Sequence, residues 1–288
     1  MTDKRINLHD RMSLPDSVQF SREHSKKAPT FRTEIFGGYD PTEDERGITQ
    51  LGEVLFRTEN ETVLGGALFV LEKVFGVQSP LTVEYLNNIM NIATSGTPIT
   101  EIYPKDNVVC LFGVGIGGAG DTISSVYDVD FKDREIIDMI PFRVTADTIT
   151  DQKYWFKKPR QDGRTEYYLK TFEAKPTIKV LWRDGEGGED GSEVETGVEN
   201  STRTDAIETF IEIILKIDKH DCREYFQING NVEKTRVNSI GLFTGVKGTL
   251  ADNSADYKQV KLFSKLNINN EMLVSEKSLT VVYRIYTS

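Results

Sequence analysis

The last fifty residues contain three short apolar runs separated by polar segments, and this pattern limits the folds available to the chain. The runs are "SIGLFTGV" (239–246), "VKLFSKLNI" (260–268) and "LTVVYRIYT" (279–287). Each is rich in β-branched and aromatic residues, which favour strands. Short apolar runs that alternate with polar turns predict neighbouring antiparallel strands. We therefore expect a sheet-built body, either a sandwich or a barrel.

Similar runs occur earlier in the chain. "NVVCLFGV" (107–114) is typical of a buried strand, and "YYLKTFE" (167–173) and "TIKVLWRD" (177–184) also favour strands. Residues 206–218 fit a helical apolar face as well as strict alternation, and their β-branched side chains favour a strand. The run "GALFVLEKVFGV" (66–77), with a glycine near its end, predicts another strand. Most of the body is therefore expected to be β.

One clear helix pattern occupies residues 79–93. Ser79 can cap its N-terminus, with Pro80 in the first turn, where the missing N–H costs nothing. Apolar residues then recur at helical spacing: Val83, Leu86, Ile89, Met90 and Ala93. Together the patterns predict a mainly β (α+β) fold. We expect an antiparallel β-sandwich or barrel-like body with one or two short helices and an extended N-terminal arm.

Residues 1–47 show little periodic hydrophobicity and predict that arm, ahead of a β-rich body at 48–288. Apolar residues occur singly among charges, and the first 32 residues hold seven Lys or Arg against four Asp or Glu. Two interpretations stay open. The arm is either a terminal tail along the surface or a segment that orders when it docks on a neighbouring subunit.

The segment 184–205 is strongly acidic. It holds eight Asp or Glu against one base, Arg203, and four glycines precede Val194. Glycine and like charge together predict a long, flexible, solvated hairpin loop. Clustered carboxylates also suit Ca²⁺, but the calcium-loop spacing D-x-[DN]-x-[DN]-G is absent, so the loop is the favoured interpretation.

A glycine-rich segment, "VVCLFGVGIGGAGDT" (108–122), resembles the start of a nucleotide-binding domain. Gly113, Gly115 and Gly118 satisfy G-x-G-x-x-G. That fingerprint works only when a helix follows and turns its N-terminal N–H groups toward the phosphates. The residues behind these glycines have no apolar helical face, and no G-K-[ST] follows. We therefore predict no cofactor, and a tight connection in which the glycines take positive φ.

The remaining sequence gives little support to an enzyme. Cys110 and Cys222 are too few for a disulfide framework or a zinc site, and Cys110 reads as a small core residue. His220, Asp221 and Cys222 are adjacent, but neighbouring strand residues point to opposite faces. We predict a polar turn there, no catalytic residues and no metal site.

Net charge and hydropathy limit the kinds of partner that we expect for the chain. The chain carries a formal net charge of −10, which argues against nucleic-acid binding through bulk electrostatics. No apolar run approaches the roughly 20 residues that span a bilayer, so no membrane partner is expected.

Five short segments, read in order, resemble a pattern found among structural proteins of tailed bacteriophages. They are an "FGxGxGG" turn at Phe112–Gly118, a "PFR" segment at Pro141–Arg143, an "xNxIGL(F/Y)" strand at Asn238–Phe243, an "LFS(K/R)" strand at Leu262–Lys265 and an "L-x-(I/V)-x-Y-x-I" strand at Leu279–Ile285. The resemblance covers roughly the last two thirds of the chain in patches.

This resemblance implies a non-enzymatic virion component of the neck (head–tail connector), tail or baseplate. Such a protein is assembled in the host cytoplasm and works as a ring-shaped homo-oligomer beside other phage structural proteins. Aromatic residues of the arm and strands are then the candidate assembly contacts. They are Phe31, Phe36, Tyr154, Trp155, Phe156, Tyr283 and Tyr286.

Two other classes stay open. Tyr154, Trp155 and Phe156 lie among lysines in "KYWFKK", and aromatic faces stack on sugars, so a carbohydrate- or receptor-binding β-domain is the main alternative. An enzyme whose catalytic residues are widely separated in sequence is the other.

Overall fold

The structure of the chain, a computed structural model, describes residues 33–44, 47–58, 61–77, 79, 81, 83–92, 107–120, 125–183, 192–196, 206–230, 235–249, 254–272 and 276–286. In chain order the strands are β1 (Thr33–Glu43), β2 (Thr49–Thr58), β3 (Glu61–Thr62), β4 (Val108–Gly115), β5 (Met139–Ile140), β6 (Arg143–Thr145), β7 (Tyr154–Pro159), β8 (Thr165–Thr171), β9 (Thr177–Arg183), β10 (Ser192–Thr196), β11 (Ala206–Ile217), β12 (Arg236–Thr249), β13 (Ala255–Met272) and β14 (Leu279–Tyr286). The helices are α1 (Leu64–Phe75), α2 (Leu86–Ile89) and α3 (Arg223–Ile228).

The strands form two antiparallel sheets. The six-stranded sheet has the order β10-β9-β11-β14-β1-β2. The eight-stranded sheet has the order β3-β13-β12-β4-β8-β6, with β5 paired to β4 and β7 paired to β8. The predicted mainly β, antiparallel body is therefore confirmed, with three short helices in the described part of the chain.

The two sheets share an apolar core between their facing surfaces. Ile35 and Tyr283 of the six-stranded sheet lie in the same buried cluster as Phe112 and Leu242 of the eight-stranded sheet. This shared cluster makes the body a sandwich, because each sheet buries one face against the other.

The eight-stranded sheet also buries its other face. A second cluster contains Leu111, Leu169, Phe243 and Trp155. Leu111 and Phe112 are consecutive residues of β4 and lie in different clusters, as the alternation of strand side chains requires. Burial on both faces explains the unbroken apolar run that identified β4 in the sequence.

Strand predictions elsewhere hold as well. Residues 206–218 form β11, so the ambiguous segment is a strand. The three C-terminal runs lie in β12, β13 and β14, and the runs near 167 and 177 lie in β8 and β9.

The strand predicted at 66–77 is wrong, because these residues belong to α1. Leu, Ala, Glu and Lys are strong helix formers. Gly65 and Gly66 let the helix lie directly against β13: a Cβ at Gly66 would overlap the carbonyl oxygen of Phe263. Gly76, with φ +63°, ends the helix in the left-handed conformation.

The helix predicted at 79–93 is largely wrong. Among the described residues of this range, only Leu86–Ile89 is helical, and Tyr85 before it is extended. The Ser79 hydroxyl accepts a hydrogen bond from the Leu81 N–H, which makes a local turn two residues long and caps no helix there.

Two predicted boundaries also need correction. The body begins well before residue 48, since β1 pairs with β14 and β2 inside the six-stranded sheet; residues 1–32 lie outside the described residues. The acidic segment 184–205 is no simple loop, because Ser192–Thr196 pairs with β9 as β10. Within the described ranges, no helix combines the length and apolar character needed to cross a bilayer.

Candidate assembly surface

The long outer edge of β13 in the eight-stranded sheet is covered by the chain itself. The buried side chain of Asn87, in α2, donates from Nδ2 to the Tyr257 carbonyl oxygen at 3.3 Å and accepts from the Val260 N–H at 3.1 Å. One carboxamide thus takes the place of a neighbouring strand. Covering an exposed edge in this way is a standard protection against edge-to-edge pairing.

A buried carboxylate joins β13 to β7. Asp256 accepts N–H groups from Phe156 at 2.7 Å, Lys157 at 2.8 Å and Tyr257 at 2.8 Å. Burial raises the pKa of Asp256, and the three N–H donors oppose this shift. The carboxylate brings two edges of the same sheet together, so the sheet curls toward a barrel at this end.

The remaining edge strands of the eight-stranded sheet are short. β3 has two residues and β6 has three. Short edge strands offer too few backbone groups to template another strand. The described contacts therefore cover the outer edge of β13 from Tyr257 to Lys265.

The six-stranded sheet ends differently. β2 is ten residues long and pairs with β1 along one side, while no described strand pairs along the other. Gln50, Gly52 and Glu53 are exposed, and Val54 is 50% exposed. β2 contains neither Pro nor Lys, and the protective features it does have are the charges of Glu53 and Arg57 and a bulge opposite Gly37 and Gly38. β10 forms the opposite edge, beyond β9.

The outer face of α1 is a second unfinished surface. Leu71, Val74 and Phe75 follow one another at helical spacing and are 50%, 68% and 68% exposed. Val77 and Leu81 extend the patch and are also exposed. A helix that is apolar on both faces is normally buried on both, so this patch is a candidate contact surface.

The glycine-rich segment has a steric role. Gly113 and Gly115 lie within β4, and the glycines with positive φ in the described residues are Gly47, Gly76, Gly163 and Gly230, so the predicted positive-φ connection is wrong. A Cβ at Gly115 would overlap Ile136. The glycines therefore admit the neighbouring backbone.

The same segment lacks the parts of a phosphate site. The Gly118 N–H donates to the Asn238 side chain at 2.7 Å, so it is already bonded. No helix occurs at 125–138 behind it. Among the described residues, the N–H groups of Ile116, Gly117 and Gly120 are likewise bonded within the chain, and no helix N-terminus faces them.

A buried polar cluster, absent from the sequence predictions, joins the two sheets. The Lys170 ammonium, in β8, donates to Asp218 at 2.6 Å, Asp221 at 2.7 Å and the Lys216 carbonyl oxygen at 2.9 Å. The Tyr154 hydroxyl donates to Asp221 at 2.7 Å. Residues 219–222 form the expected turn, but Asp221 and Cys222 are buried.

The electrostatics of this cluster suit a clamp better than a catalytic site. Burial raises the pKa of Asp221 and of Tyr154. Each of the three ammonium hydrogens of Lys170 has an acceptor, and its side chain is 1% exposed. The Lys170 ammonium therefore has no hydrogen left to donate to a substrate. Sequence reasoning missed the cluster because Lys170 and Asp221 meet only when two sheets pack.

Most aromatic residues predicted as assembly contacts lie in the core. Phe36, Tyr154, Trp155, Phe156, Tyr283 and Tyr286 are each no more than 8% exposed. Phe31 lies outside the described residues. The buried six present no exposed aromatic face to a partner, and Tyr154, Trp155 and Phe156 form no sugar-stacking surface. These side chains fill the interior of the chain itself. Their density in the strands does not distinguish an interior position from an interface.

Cys110 is partly buried against the second apolar cluster, near the role predicted for it. Burial raises the pKa of its thiol to about 11, so it stays protonated at neutral pH.

One open cavity of about 250 Å³ lies beside the six-stranded sheet. Its charged groups include Lys216, which lies 3.6 Å from Glu173 and partly neutralises it. Across the described ranges, no three His, Cys, Asp or Glu side chains come together as metal ligands.

Comparisons of the chain with protein-family models, with curated proteins and with solved structures find no match.

Proposed function

We propose that this chain is a non-enzymatic structural component of a tailed-bacteriophage particle, located in the virion. Copies associate into a ring at the neck (head–tail connection) or tail, next to other structural proteins of the particle. The observation that carries the proposal is the exposed apolar face of α1, which is suited to burial against a neighbouring copy.

The placement of the resembling segments also supports the proposal. The "FGxGxGG", "xNxIGL(F/Y)" and "LFS(K/R)" segments fall in β4, β12 and β13, which are consecutive neighbours in the eight-stranded sheet. Segments about 150 residues apart in the sequence therefore belong to one structural unit. Three of the five resembling segments are thus neighbours in one sheet, and the last lies in β14 of the other sheet.

The first test is the mass of the purified chain in solution. We expect light scattering to give a multiple of the 32.6 kDa chain mass, and negative-stain images to show rings. A single-chain mass at all accessible concentrations would contradict the proposal.

The second test changes the α1 surface by Val74→Glu. Loss of a buried valine contact and burial of a charge cost more than about 1.4 kcal/mol, which is a tenfold change in affinity. We therefore expect at least a tenfold rise in the concentration needed for assembly, without a large change in melting temperature.

Ile137→Glu is the matched control for the α1 test. Ile137 is 53% exposed and lies between β4 and β5, outside α1 and outside both edge strands of the six-stranded sheet. If the Val74→Glu protein assembled at the same concentration as the wild type, the α1 face would not be part of the contact between copies.

A further inference from the structure

The two edge strands of the six-stranded sheet, neither of which has a described strand on its outer side, run in opposite directions. Every neighbouring pair from β10 to β2 is antiparallel. Because the sheet has an even number of strands, β2 and β10 run in opposite directions. A second copy in the same orientation, placed beside the first, would therefore bring its β10 antiparallel to β2.

We infer that the six-stranded sheet continues from one copy of the chain to the next, with β2 of one copy paired antiparallel to β10 of its neighbour. This inference rests on the self-association proposed above and adds a backbone contact to the one proposed for the α1 face, so that assembly at the tested concentration requires both contacts. Backbone hydrogen bonds supply the contact, as in other cases of strand addition.

The contrast between the two sheets supports a second copy as the occupant. In the eight-stranded sheet, Asn87 and Asp256 satisfy outward-facing N–H groups of β13 and β7. Among the described residues, no side chain does the same along the outer edge of β2 between Gln50 and Arg57. The described contacts thus protect part of the β13 edge and leave this part of the β2 edge uncovered, as expected if the β2 edge has a partner of its own kind.

One kind of contact, between β2 of one copy and β10 of the next, then occupies both edges of the six-stranded sheet. A two-fold pairing of β2 with β2 would leave β10 bare on each copy. Pairing β2 with β10 is head-to-tail, and head-to-tail contacts close into a ring when the rotation between copies permits. The inferred contact therefore gives the ring that the proposed function requires.

The test uses two proline variants, one at each edge. Val54→Pro disrupts β2 and Val194→Pro disrupts β10, since proline removes a backbone donor and is poorly tolerated in a strand. If either strand detaches, the newly exposed β1 or β9 has the wrong direction for an antiparallel pair. We expect each variant alone to have the single-chain mass at a concentration where the wild type is assembled.

Mixing the two variants gives the decisive result. Each retains the edge that the other lacks, so a one-to-one mixture should form a species of twice the 32.6 kDa chain mass and grow no further. Val54→Lys, at the same half-exposed position, replaces Val54→Pro if the proline variant melts below the assay temperature.

The outcomes separate this inference from the proposed function. A wild-type chain that never associates contradicts the proposed function. A wild type that assembles while Val54→Pro or Val194→Pro still assembles normally overturns the inference alone. Two monomeric variants that fail to pair on mixing also overturn it, because β2–β10 pairing requires them to recognise each other.

Discussion

The two sheets of this protein differ in how their edges end. In the eight-stranded sheet, a carboxamide covers β13, a carboxylate ties β13 to β7, and the other edge strands have two or three residues. In the six-stranded sheet, the ten-residue strand β2 lies at one edge, and no described strand pairs with its outer side. A sheet whose edges are satisfied internally contributes stability to the single chain. A sheet with bare edges is suited to contacts between chains.

The largest expected effect concerns the buried cluster around Lys170 that joins the two sheets. Lys170→Ala leaves Asp221 buried without its cation, and breaking a buried ion pair typically costs about 3–5 kcal/mol. We expect that loss in the free energy of unfolding, measured by chemical denaturation.

Lys153→Ala is the control for Lys170→Ala. The Lys153 ammonium lies 3.9 Å from Glu173 and its side chain is 45% exposed, so the substitution should cost under about 1 kcal/mol. Equal effects of the two substitutions would show that Lys170 does not clamp the sheets.

A second variant opens the closed sheet. Asp256→Ala leaves the N–H groups of Phe156 and Lys157 without their acceptor, and an unsatisfied buried donor costs about 1–3 kcal/mol. We expect a loss of about 3 kcal/mol in the free energy of unfolding. Below the melting temperature, the assembled mass should be unchanged.

Asp130→Ala tests whether burial causes the effect at Asp256. The Asp130 carboxylate also accepts a backbone N–H, from Lys132, but at an exposed position where water can replace it. Its loss should be under about 1 kcal/mol. An Asp256→Ala protein that is folded but monomeric would contradict the division of roles between the sheets.

The smallest expected effect concerns a core tyrosine of the six-stranded sheet. The buried Tyr283 hydroxyl has no hydrogen-bond partner in the described structure, whereas the Tyr154 hydroxyl donates to Asp221. Tyr283→Phe should leave stability unchanged or raise it by up to about 1 kcal/mol, with assembly intact. Tyr154→Phe should lower it by about 1–2 kcal/mol. Loss of assembly in Tyr283→Phe would show that Tyr283 takes part in the contact between copies.

Much of the fold could be predicted from the sequence because strand periodicity is local. The apolar runs of β4, β11, β12, β13 and β14 were all identified from alternation and β-branched content. α1 was mistaken for a strand because its apolar residues lie on two faces, one against β13 and one exposed. The Gly65–Gly66 pair was the available signal, since glycine weakens a strand and often marks a close approach of another backbone.

The surfaces were harder to predict than the strands. Asn87 and Asp256 look like ordinary polar residues in the sequence, and their bonds to strand edges depend on contacts between residues 100–170 positions apart. Tyr154, Trp155 and Phe156 looked exposed because lysines surround them. Tertiary packing decides whether such a side chain faces the core, and the local pattern carries no information on that choice.

Hydrogen–deuterium exchange of β2 in assembled and dissociated protein tests the central claim most directly. Backbone amides that gain a strand partner exchange more slowly. If copies join through the six-stranded sheet, amides within residues 50–57 and 192–196 should exchange more slowly in the assembled protein, while those of β3 and β6 stay unchanged. Equal exchange of residues 50–57 in the two states, with assembly confirmed by mass, would contradict the account.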